Sequence, residues 1–94
     1  MKKKAYEEKL KSQLDEWDAK IDVLKAKASK AEAETKIEYH ETIEDLKKKR
    51  SEAKDKLQKL RDAGDDTWED MKEGIEAAWS SLGAAIKSAT SRFK

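Results

Sequence analysis

The chain has 94 residues, with 22 Lys and Arg against 21 Asp and Glu, a net charge of +1, and neither Cys nor Pro. That length allows at most one domain. Charged residues make up 46% and hydrophobic ones 36%, so the chain is poorly stocked for a compact core. The lack of Pro, only three Gly, and the wealth of Ala, Glu, Lys and Leu point to an all-α fold of long helices and argue against all-β or α/β folds. Without Cys there is no disulfide or thiolate chemistry, which fits a reducing compartment. Met1-Lys-Lys-Lys leads into no apolar stretch, so no secretory signal is expected. No apolar run reaches the roughly 18 residues that a membrane span needs.

In chain order, the first apolar series is Leu10, Leu14, Trp17, Ile21, Leu24, Ala28 and Ala31. It places Leu14, Ile21 and Ala28 at heptad a and Trp17, Leu24 and Ala31 at d. The second series is Tyr39, Ile43, Leu46, Arg50, Ala53, Leu57 and Leu60, with Arg50 at an a position. Such a residue costs stability but can fix register. Ala28 and Ile43 are separated by one residue more than two heptads, so the phase slips between the two series.

A continuous coiled-coil helix over 4–62, about 88 Å long at 1.5 Å per residue, is the expectation. The alternative is a three-helix bundle with turns near 30–35 and 63–66. Ser29-Lys-Ala-Glu32 and Thr35-Lys-Ile-Glu38 both match a capping box, which favours a turn. The lack of Gly or Pro there, in a run of strong helix formers, favours continuity. Seven acid-first i,i+4 pairs, among them Glu16–Lys20, Asp45–Lys49 and Asp55–Lys59, support long exposed helices at about 0.2–0.5 kcal/mol each.

The clearest stop is Ala63-Gly64-Asp65-Asp66-Thr67. Gly64 suits a left-handed position just past a helix end, and Asp66-Thr-Trp-Glu69 a capping box for the next helix. Over 66–92 the residues Trp68, Met71, Ile75, Ala78, Trp79, Leu82, Ile86 and Ala89, followed by Phe93, fall on one narrow stripe at a straight-helix period. The opposite face is mostly small: Ser80, Ser81, Gly83, Ala84, Ser88, Thr90 and Ser91. Asp65, Asp66, Glu69, Asp70, Glu73 and Glu76 lie at the start of this segment, and Lys87, Arg92 and Lys94 at its end. That arrangement suits a helix macrodipole and also offers a cationic tip to anionic lipid.

Two sets of contact residues follow. Leu10, Leu14, Trp17, Ile21, Leu24, Ile43, Leu46, Leu57 and Leu60 form an oligomer seam. Trp68, Met71, Ile75, Trp79, Leu82, Ile86 and Phe93 form an apolar-surface-binding stripe, either packed on the second series as a hairpin or lying in a lipid interface. No catalytic, cofactor or metal residues emerge. His40, the sole histidine, lacks companion ligands, and no nucleophilic triad or phosphate loop can be assembled. Lys47-Lys-Lys-Arg50 is the densest basic patch, but helical geometry spreads it around the axis among Glu44, Asp45 and Glu52, which disfavours nucleic acid.

Three blocks carry a resemblance: Lys9-Leu-Lys-Ser-Gln-Leu-Asp-Glu-Trp17, Lys36-Ile-Glu-Tyr39, and Trp68-Glu-Asp-Met-Lys-Glu-Gly-Ile-Glu-Ala-Ala-Trp79 with Ser91-Arg-Phe93. In that order they resemble a family of small bacterial coiled-coil proteins associated with stress response. The resemblance implies a non-enzymatic helical protein of the bacterial cytoplasm and supplies no catalytic residues. A looser likeness, in amphipathic helices and composition alone, is to phasins, which coat storage granules. The combined expectation is a homo-oligomer that engages a lipid surface or another protein, peripheral to the inner membrane.

Overall fold

A computed structural model describes residues 2–93. The described chain is all-α, with helices α1 (Lys2–Lys30), α2 (Ala33–Asp62) and α3 (Lys72–Arg92), the last preceded by a 3-10 turn, Trp68–Met71. They pack side by side into a rod of 51 × 19 × 17 Å. α2 runs back along α1, and α3 returns parallel to α1. The two ends of that return are marked by Tyr6 beside Trp68, with ring centroids 5.7 Å apart, and by Lys27 Nζ donating to the Phe93 carbonyl at 3.2 Å.

The continuous helix over 4–62 is therefore corrected: the chain turns at Ala31–Glu32. Ala31 N–H closes α1 on the Ala28 carbonyl at 3.2 Å, Glu32 takes an extended conformation (φ −70°, ψ 160°), and its carbonyl accepts the Lys36 N–H at 2.8 Å. No left-handed residue is needed, which is why the turn carries no glycine. Neither capping box is used, since Glu32 is the N-cap and makes no side-chain cap bond. The phase slip marks the place. A straight helix could not bring both heptad series onto one stripe, whereas a turn here lets both face α3. That shared burial outweighs the modest helix preference of Ala, Lys and Glu.

The second break falls where expected but by another route. Ala63, not Gly64, ends α2 in an extended conformation (φ −76°, ψ 147°), and no described glycine has positive φ. The last helical segment starts at Trp68 as a 3-10 turn rather than at residue 66. Thr67 makes no cap bond to that turn, and its hydroxyl donates instead to the Gly64 carbonyl at 3.3 Å.

Two lysines of α1 tie down the carbonyl ends of the other helices. Lys3 Nζ donates to the carbonyls of Ala63 (2.6 Å) and Arg61 (3.2 Å), and Lys27 holds Phe93. A cation at a helix C-terminus satisfies orphan carbonyls and suits the dipole. Of the i,i+4 pairs, Glu16–Lys20, Asp45–Lys49 and Asp55–Lys59 close within 4 Å. Glu7 instead crosses to Arg61 at 3.6 Å. Arg50 reaches Asp18 across α1 and α2 at 2.6 Å, so its heptad position is occupied by an interhelical ion pair.

Gly74 lies on α3 where an added Cβ would meet only Lys56 Nζ, at 3.9 Å. Gly74→Ala is therefore expected to stabilise the bundle by about 0.5–1 kcal/mol through helix propensity alone. A chemical-denaturation midpoint that rises with an unchanged slope is the check.

Candidate functional site: the apolar stripe of the third helix

The stripe is the bundle's third wall. Trp68, Ile75, Trp79, Leu82, Ile86, Ala89 and Phe93 are all buried, Leu82 completely, and Met71 and Ala78 are half-buried against them. Opposite them lie Leu10, Leu14, Ile21 and Leu24 of α1, and Tyr39, Ile43, Leu46, Ala53, Leu57 and Leu60 of α2. Every residue of the expected oligomer seam therefore faces the core of its own chain, except Trp17, which is half-buried at the edge of that core. Heptad spacing shows that an apolar line needs a partner, but not whether that partner is in the same chain. The expected free seam is corrected: eight of its nine residues form an intramolecular core, and Trp17 packs at its edge.

Several contacts were not legible in the sequence. Trp17 lies over Gly83, whose hydrogen stands where a Cβ would come 3.0 Å from the indole Cζ2. The Phe93 ring stacks on Tyr39 with centroids 4.0 Å apart. At the other end, Lys72 Nζ sits 4.6 Å from the Trp68 ring centroid and 5.6 Å from that of Tyr6, in reach of a cation–π attraction. The Tyr6 hydroxyl donates to Glu76 Oε1 at 3.5 Å. Burial, then the Glu76 charge, then that hydrogen bond push the Tyr6 phenol up from its ordinary value. This favours the neutral ring in the folded state, so its small contribution is lost as pH rises into the strongly alkaline range.

Among the described residues three buried side-chain atoms make no hydrogen bond: Asp18 Oδ1 and Arg50 Nε, which face each other as an ion pair at 2.6 Å, and, with no ionic partner, the Trp79 indole N–H. The residue is only 5% exposed. The rest of α3 is uniform. Its outward positions include Ala77, Ser80, Ser81, Ala84, Ser88 and Ser91, with charges confined to Lys72, Glu73 and Glu76 at one end and Lys87 and Arg92 towards the other. Residues 64–67, which join α3 to α2 through the 3-10 turn, are all exposed.

The basic run is largely neutralised. Lys47 faces Glu44 at 3.6 Å, Lys49 faces Asp45 at 3.7 Å, and Arg50 is held by Asp18. His40 lies exposed on α2. Among the described residues no cluster of three His, Cys, Asp or Glu could hold a metal, and no helix is long and apolar enough to cross a membrane. No protein-family model, curated protein or solved structure matches this chain.

Proposed function

We propose that this chain is a non-enzymatic helical interaction protein that engages an apolar or membrane surface by lifting α3 from the α1–α2 hairpin. The stress-response family it resembles gives that role a setting in the bacterial cytoplasm, at the inner face of the membrane. The observation that carries the reading is the unpaired Trp79 N–H. Leaving a buried donor unsatisfied costs about 1–3 kcal/mol, and the closed bundle bears that cost. In a lipid interface the indole lies among headgroups, with its ring in the apolar layer and its N–H in contact with water or a carbonyl. The transfer would thus satisfy the donor while keeping the rest of the stripe out of water.

Two further features support the reading. The exposed 64–67 connection can absorb the swing of α3 without breaking core contacts of its own. The small, nearly uncharged outer face and the Lys87/Arg92 end suit a helix lying flat on a mildly anionic surface. Self-association would multiply a weak helix–lipid contact into useful avidity.

The complete burial of Leu82, Ile86 and Ile75 favours a second reading, a protein-only scaffold in which α3 never leaves the bundle. Vesicles of phosphatidylcholine and phosphatidylglycerol carrying brominated acyl chains separate the two. The proposal predicts that the full chain floats with the vesicles and that its tryptophan emission is quenched by bromine. Absence of flotation together with unquenched emission would overturn it in favour of the scaffold.

A further inference from the structure

The outer groove between α1 and α2 lies apart from the α3 stripe. Its volume is about 610 Å³, with a floor that includes Ala28, Ile37 and Ile43. Ile37 is 61% exposed, the most exposed large apolar side chain among the described residues. The α2 side of this groove carries Lys36, His40, Glu44 and Lys47, spaced four, four and three residues apart, so they form one line along the helix.

That line is self-complementary in one direction only. Lys36 and Glu44 lie equal distances on either side of His40. If a second α2 is laid antiparallel with His40 meeting His40, Lys36 of one copy falls opposite Glu44 of the other, and the pairing repeats by symmetry. The second outer layer sets Ala33 of one copy against Lys47 of the other, which places no like charges together. Laid parallel, the same line would oppose Lys36 to Lys36, Glu44 to Glu44 and Lys47 to Lys47. Both arrangements are compatible with a two-fold dimer, but only the antiparallel one matches charges.

We propose that this groove is the site at which a second copy of the chain docks, α2 against α2, antiparallel about His40. Ile37 from each copy then leaves water at the edge of the contact. Glu44, which meets Lys47 at 3.6 Å within its own helix, shares its carboxylate with the incoming Lys36. The contact spans only a few helical turns, so it belongs to the small, reversible class of interfaces. It uses none of the α3 stripe.

Charge reversal tests the register. Sedimentation equilibrium of the full chain over a wide concentration range should show a reversible monomer–dimer equilibrium. Lys36→Glu and Glu44→Lys should each weaken it by at least about tenfold, through two repulsive contacts per dimer. The double variant, Lys36→Glu with Glu44→Lys, should restore the wild-type constant to within about threefold. Circular dichroism at 222 nm confirms that each variant stays folded, as expected for changes at two exposed positions. A strictly monomeric wild-type chain would overturn the proposal. So would a dimer indifferent to the single reversals, or a double variant no better than either single one.

Discussion

Leu82→Ala is expected to lower the thermal midpoint by about 8–40 °C. Leu82 is fully buried at the centre of the stripe, between the two heptad series of the hairpin. Removing its side chain loses the transfer free energy of the missing carbons and leaves a cavity lined by side chains that can only partly collapse, about 2–5 kcal/mol together. In a domain of this size each kcal/mol is worth roughly 4–8 °C. The same loss weakens the hold on α3 specifically, so vesicle binding should rise as the midpoint falls. Circular-dichroism melts and flotation read the two effects. A midpoint within a few degrees of wild type would mean that α3 is not packed against the hairpin as described.

Gly83→Leu comes next in size, and its cause is contact rather than cavity. A Cβ at this position already approaches Trp17 Cζ2 to 3.0 Å, and the larger branched side chain must displace the indole or push α3 outward. Overpacking of this kind costs about 1–3 kcal/mol, offset by about 1 kcal/mol gained on replacing a helical glycine. The net expectation is a loss of up to about 2 kcal/mol, with Trp17 more exposed to an aqueous quencher. Gly74→Ala is the matched control, because it makes the same helix gain without the contact. If both variants are stabilised, Trp17 does not rest on Gly83.

The pattern of apolar residues revealed helices of this length and the faces they bury. Every residue of the α3 stripe, from Trp68 to Phe93, lies in the core or against it. What the pattern could not reveal is the address of the partner. Leu14, Ile21, Ile43 and Leu57 read equally well as an interchain seam or as two walls of an intrachain core, because heptad spacing carries no information about chain identity. The turn at Ala31–Glu32 was outweighed rather than hidden. The phase slip between Ala28 and Ile43 and the two capping-box matches pointed to a break near 30–35, but its residues are good helix formers and carry no Gly or Pro, which favoured continuity. At Gly64 the residue type pointed to the right break through the wrong geometry, since Ala63 ends the helix in an extended conformation.

The finer contacts have no sequence signature. Arg50 at an a position suggested a register device, but nothing in the spacing named Asp18 as its partner. Lys3 and Lys27 are two among many lysines, and their role at the carbonyl ends of α2 and α3 exists only once three helices stand side by side. The unpaired Trp79 N–H is of the same kind, because it is defined by what does not surround it.

If α3 exchanges between the hairpin and an apolar surface, a covalent staple that holds it shut should abolish binding to that surface. The chain has no cysteine, so Tyr39→Cys with Phe93→Cys places two unique thiols where the stacked rings now meet. A short bis-maleimide joins them, and N-ethylmaleimide on the same variant gives the unjoined control. Exchange predicts that the control floats with anionic vesicles while the stapled chain stays in the aqueous fraction. Equal flotation of the two would contradict it, because the surface in contact with lipid would then be one that the closed bundle already exposes.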